Sequence, residues 1–200
     1  MQASTAASLA VVDLDVGKRD IQQCMDSIMR LRGEYWWSRG KPWKTSFRYS
    51  HGRYFSFRKW SQGLRPKVVK RRLTFVPKGR AGSSRSNYNR FLRYMFAMTG
   101  TINQTREPKI SFSSLQAGDF FLQPARSATV YGHAVVLLDL ARNAKGQLVA
   151  MIGEGYMPAQ DFHVLRHRGT SPWYPLSAGK AVKTPQWPAF TWAQLHRFRY

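Results

Sequence analysis

The chain reads as an α+β domain with helices on one side of an antiparallel sheet, and three features of the sequence lead there. Helical spacing of apolar residues is confined to two stretches ahead of Gly100. Short apolar runs bounded by turn residues dominate after it, and no internal repeat interrupts the series. At 200 residues, 43% of them hydrophobic and 14% aromatic, the chain is long enough to bury one real core, so residues 1–200 are expected to form a single domain.

The elements follow in order. "SLAVVDLDV", residues 8–16, is rich in Val and Leu and predicts a strand closed by Gly17. Asp20 is then the expected N-cap of a helix, with Gln23 three residues on as a capping-box variant. Ile21, Met25, Ile28, Arg32 and Tyr35 recur at helical spacing until Gly40 and Pro42 stop the helix. Short strands are expected in "FRYSHGRYFSF" and "RRLTFV", followed by an Arg-, Gly- and Ser-rich loop over residues 78–86. "NYNRFLRYMFAMTG" predicts a second helix, apolar at Phe91, Leu92, Met95, Phe96 and Met98. "GDFFLQ", "HAVVLLDLA" and "QLVAMIGEG" read as strands, the last two joined by a hairpin turn at "AKG". "YMPAQDFHVLR", "SPWYPL" and "KTPQWPAFTW" carry too much proline for central strands.

Charge is unevenly placed. Lys and Arg number 32 against 10 Asp and Glu, a net +22, yet no acidic residue falls between Glu34 and Glu107. Half of the basic residues lie between Lys41 and Arg93, interleaved with Trp43, Phe47, Tyr49, Tyr54, Phe55, Phe57 and Trp60, so residues 41–93 form a basic, aromatic-rich insert. Cations meet phosphates and rings stack on bases, which makes nucleic acid or another anionic polymer or surface a candidate partner for this insert. The plainer alternative is that the rings are core and the cations a solvated face.

No apolar run reaches the roughly 20 residues that span a bilayer, and "MQASTAASLAVVDLDVG" lacks the basic start of a signal peptide. The bacterial cytoplasm is the default expectation, with the envelope the alternative if a segment precedes this one. Cys24 is the only cysteine, which excludes an intramolecular disulfide and a multi-cysteine zinc site.

That cysteine falls just past the expected helix cap, where end-of-helix amides favour a thiolate. His133 opens the apolar run "HAVVLLDLA". An imidazole there can take the thiol proton and return it to a leaving group, provided a third group holds its tautomer. Glu154, at the end of the next antiparallel run, is the first candidate for that third group, with Gln160 and Asp161 just beyond. Each residue also has a plain reading: Cys24 continues a core stripe between Ile21 and Ile28, His133 is a satisfied strand residue, and Glu154 borders a turn. The ordered combination favours the chemical reading.

The same combination resembles papain-like cell-wall peptidases and amidases of the NlpC and CHAP type, in which a helix-start Cys precedes a "GD" strand and a strand-opening His. Their Asp-Cys-Ser segment is replaced here by "QQCMDSIMRLRGEYWW". "RDIQQCMDSIMRLRGEYWW", "GDFF", "GHAVVLLDLARN", "GEGYMPAQDFHVL", "SPWY" and "TPQW" resemble more closely, and in order, the bacterial domain-of-unknown-function 4846 family. That resemblance implies further sequence ahead of "DLDVG" and a Gln at the position of Glu154. The peptidase resemblance implies a papain-like fold with a helix-start Cys packed against the sheet. It also implies a cysteine hydrolase acting on an amide of a peptide or cell-wall-type polymer, without a cofactor. Cys24 would be the nucleophile, His133 the general base, and Glu154 or Gln160 the orienting group. Gln22 and Gln23 would be oxyanion candidates, and Asp161 a further orienting candidate.

Tyr156, Met157 and Trp173 are candidates for a substrate groove, Tyr156 and Met157 from a loop beside Glu154 and Trp173 from a Pro-rich segment that can also close the domain as an aromatic–proline clasp. Asp119 reads as a turn-stabilising residue. His163 and His167 have metal-like spacing only on a helix and lack companion ligands, so no metal site is assigned.

Overall fold

The computed structural model describes residues 7–49, 52–70, 72–127 and 130–199. It is a mixed α/β arrangement whose strand pairings are all antiparallel. β1 (Ser8–Val12) is followed by α1 (Cys24–Ser38), and then by the basic insert. The insert holds the hairpin β2 (Ser46–Arg48) and β3 (Tyr54–Ser56), the short α2 (Phe57–Ser61), and a second hairpin, β4 (Leu64–Val69) and β5 (Arg72–Pro77). Next come α3 (Arg85–Met98) and α4 (Thr101–Gln104). The second half supplies β6 (Phe120–Gln123), β7 (His133–Arg142), β8 (Leu148–Glu154), β9 (Phe162–Leu165), β10 (Trp173–Pro175) and β11 (Leu195–His196).

The main sheet runs β1-β9-β8-β7-β6-β11, with β10 also on β8. Its period-2 alternation separates two cores. Phe120, Leu122, Ala134 and Val136 face the core that also contains the helical residues Met25, Ile28, Phe91 and Met95. Phe121, Val135, Leu137, Ala150 and Ile152 face a second core, closed by Tyr174, Val182 and Phe190. The proline-rich C-terminal segments thus do on one face what the helices do on the other.

Several expectations change in detail. The first strand stops at Val12, and the Asp15 carboxylate accepts the Gly17 N–H in a turn where Gly17 has φ 72°. The helix begins three residues later than Asp20 predicts. Gln23 is its N-cap, held by its own N–H donating to Asp26 (3.3 Å), while Asp20 accepts the Ala159 N–H (2.6 Å) and the Gln23 amide (3.1 Å). Tyr35, expected on the apolar stripe, is 47% exposed. Within "YMPAQDFHVLR", β9 is an interior strand between β1 and β8. Its proline, Pro158, precedes the strand and leaves the ladder amides of Phe162–Leu165 intact. In "SPWYPL", Trp173–Pro175 does pair, on the part of β8 that β9 does not reach.

The insert packs through its rings. Phe47, Phe55, Phe57 and Trp60 are buried with Tyr88 and Phe91 of α3, and Tyr49 joins them. The cations lie over these rings: Lys59 sits 3.9 Å from the Phe75 centroid and Arg65 3.5 Å from that of Trp60. The acids that bound the acid-free stretch anchor it at both ends. Glu34 binds Arg30 and Arg85, and buried Glu107 binds Arg48 and accepts the Tyr54 hydroxyl at 2.8 Å. Base stacking across the insert is therefore not offered by its rings, of which Trp43, at 46%, is the large exposed one. Arg71, in "RRLTFV", lies outside the described residues.

Candidate active site

Cys24 is the first residue of α1, so its backbone N–H and those of the next residues have no acceptor within the helix. The thiol is buried, 8% exposed, and lies 3.9 Å from the Gly132 carbonyl oxygen, to which it can donate. That contact needs glycine at 132: a Cβ there would stand 2.5 Å from the Ala125 nitrogen and 2.6 Å from the Gln123 oxygen. The β6–β7 connection is thus pressed against itself at the point where His133 enters the sheet.

Gly155 makes the matching approach from β8. A Cβ there would collide with Ser27 Oγ and stand 3.2 Å from the Gln23 carbonyl oxygen. The Gly155 approach and the Cys24 contact with the Gly132 carbonyl therefore bring the start of α1 to the β7 entry and the β8 exit, where His133 and Glu154 pair.

His133 is 2% and Glu154 1% exposed, and Nε2 of the imidazole lies 2.7 Å from Glu154 Oε2. A carboxylate only accepts, so Nε2 carries a hydrogen in this contact and Nδ1 is the ring nitrogen not used by Glu154. Burial pushes the imidazole pKa down, but hydrogen bonding to Cys24, and then to Glu154, outweighs it and raises the pKa to about 9. The ring is clamped by Trp187, centroid to centroid 4.6 Å, and by Tyr156, edge-on at 5.3 Å. Trp187 is itself fixed by donating to Gln123 Oε1 at 3.0 Å.

A cleft of about 460 Å³ opens over these groups. Cys24 and His133 line it, and Tyr156, Met157, Gln23 and Trp187 contribute walls. Asp26, in the first turn of α1, also lines it. Burial raises its carboxyl pKa well above the usual range against the smaller pull of backbone N–H groups, and among the described residues Oδ1 has no hydrogen-bond partner.

The remaining expected residues separate. Gln22 is buried but does not line the cleft, its amide oxygen accepting from Arg30 at 3.2 Å. Gln23 does line it, with its amide nitrogen committed to Asp20. Gln160 donates to the Pro158 carbonyl at 3.3 Å and Asp161 is exposed, so neither is the group on His133; Glu154 is. Trp173 pairs with Met151 on β10, away from the cleft. Asp119 is a fully buried strap, accepting from the Gln116 N–H at 2.8 Å and pairing with Arg197. His163 turns to Ser8 and His167 to Tyr174, and among the described residues no cluster of three or more ligating side chains could hold a metal ion. Gly132, Gly155 and Trp187 were the residues that the sequence reading did not connect to the site. The two glycines adjoin His133 and Glu154, and that adjacency was the available signal.

Among the described residues no helix is long and apolar enough to cross a membrane. The chain belongs to the domain-of-unknown-function 4846 family, whose sequence profile matches residues 1–197. No curated protein and no solved structure matches it.

Proposed function

We propose that this protein is a cysteine hydrolase of papain-like, NlpC/CHAP-like design that cleaves an amide bond, with Cys24 as nucleophile, His133 as general base and acid, and Glu154 as the orienting group. The observation that carries the reading is the buried 2.7 Å contact between His133 and Glu154 beside a cysteine at the first residue of a helix, with Cys24 and His133 lining one cleft. A structural cysteine does not need an imidazole held by a carboxylate against it, and polar groups buried this deeply are costly unless paired.

The chemistry follows from the contacts. The Cys24 proton passes to Nδ1 of His133, and the imidazolium is stabilised through Nε2 by Glu154. The thiolate attacks the acyl carbon. The oxyanion meets the backbone N–H of Cys24 at the start of α1, where the helix dipole adds to the stabilisation. His133 then protonates the leaving nitrogen as the C–N bond breaks, and water attacks the thioester with His133 again as base. Gln23 contributes as a wall rather than as an oxyanion donor while its amide is bound to Asp20.

The test is intact-protein mass spectrometry after incubation with a panel of amides, peptides and cell-wall fragments, beside Cys24→Ala. An acyl adduct on Cys24, with release of the amine, is the expected result. Release that persists in Cys24→Ala, or no adduct and no release from any member of a panel that also includes activated esters, overturns the reading.

A further inference from the structure

The cleft departs from the rest of the molecule in charge. Among the described residues no Lys or Arg lines it. Its two acidic residues are Asp20 and Asp26. Asp20 is engaged by the Ala159 N–H and the Gln23 amide, and burial holds Asp26 toward its neutral form. A strongly basic protein has thus kept its cations out of this one concavity, which does not suit an anionic group.

The rim is apolar as well. Thr101, in α4, and Ala125 and Gly132, in the β6–β7 connection, come together at one side of the cleft, with the Ala125 N–H donating to Thr101 Oγ1 at 3.4 Å. Tyr131, 57% exposed, lines the cleft at this side, and Ile21, Met25, Phe96 and Met157 line it as well. Exposed large apolar side chains are few among the described residues, and one of them, Tyr131, stands at this cleft.

We infer that the cleft accepts an uncharged aliphatic acyl chain, so that the substrate is an N-acyl amide or acyl ester whose chain runs from Cys24 along this apolar lining to Tyr131. This rests on the hydrolase reading and names its substrate class. In the reaction the Cys24 Sγ–acyl bond forms as the acyl C–N or C–O bond breaks, and the thiol proton leaves through His133 on the departing amine or alcohol. Water then releases the fatty acid and restores the thiol. An apolar wall suits the chain because each buried methylene contributes about 0.8 kcal/mol, roughly a fourfold gain in binding.

Two measurements on the full chain keep the two readings apart. The first is kcat/KM for p-nitrophenyl esters from acetate to dodecanoate. The profile is expected to rise by about fourfold per methylene over its first several members. The ratio of dodecanoate to acetate is expected to fall about tenfold in Tyr131→Asp, a substitution at an exposed position that leaves the melting temperature unchanged. A flat or falling profile, or a ratio that Tyr131→Asp does not move, overturns the acyl-chain inference and leaves the hydrolase standing. The second is binding of a fluorescent dodecanoic acid to Cys24→Ala. Saturable binding, weakened at least tenfold by adding Tyr131→Asp, is expected. If no ester is turned over but this binding holds, the hydrolase reading falls and the acyl site remains. If the probe does not bind, or binds regardless of Tyr131, the acyl site falls.

Discussion

The two ends of α1 handle polar and aromatic side chains in opposite ways. At its start, Cys24, His133 and Glu154 are withdrawn from water and paired with one another, while the walls around them are apolar. Toward its other end Trp36 and Trp37 meet the insert, where the rings go inside and the cations remain at the surface, stacked on ring faces or tied to Glu34. In sequence the insert looks the more functional of the two, because it is loud in charge and aromatics. In three dimensions its loudness is packing, and the quiet end carries the constellation that chemistry can use. Burial with a matched partner separates the two.

The sharpest way to break this comparison is to remove a ring of the insert. Phe55 is fully buried, stacks with Phe75 at 5.3 Å and meets Phe91 edge-on at 5.8 Å, so Phe55→Ala is expected to cost about 3–5 kcal/mol in urea unfolding. A loss below about 1 kcal/mol would return the ring to the surface, and with it a stacking role. Next in size is Gly132→Ala. With its Cβ 2.5 Å from a backbone nitrogen, the β6–β7 connection must move, and a loss of about 1–3 kcal/mol is expected together with slower alkylation of Cys24. Unchanged alkylation would show that the thiol does not depend on this seat.

A third prediction concerns pH. The folded pKa of His133 is raised from 6.5 to about 9, so its contribution to stability is complete below pH 6.5 and is lost as pH rises through 9. The melting temperature should fall across that window, and the fall should be smaller in Glu154→Gln, which keeps a hydrogen-bond acceptor but removes the charge. An identical fall in both proteins would mean that another group titrates. The smallest effect is at Trp43, the exposed ring of the insert: Trp43→Ala should change stability by less than about 0.5 kcal/mol. A larger loss would place it in the core.

Much of the fold is legible because its elements obey simple periodicities. The α3 stripe and the runs of β6, β7 and β8 stand where spacing puts them. What spacing misses depends on partners distant in sequence. Asp20 has the residue type of an N-cap but is drawn off by Ala159, and β9 is interior because β1 and β8 supply its ladder. At the site, Cys24, His133 and Glu154 were readable from order along the chain. Trp187 was not, since its role comes from a stack on His133 across 54 residues of sequence. Gln22 and Trp173 were drawn in by type and position, and neither reaches the cleft.

The measurement closest to the central claim is the pH dependence of Cys24 alkylation by iodoacetamide in the folded protein, beside His133→Ala. The account predicts a thiol that reacts well below the ordinary cysteine pKa of about 8.5 and loses that reactivity when His133 is removed. An ordinary thiol, or one whose profile is the same without His133, would make Cys24 a packed core residue and contradict the account.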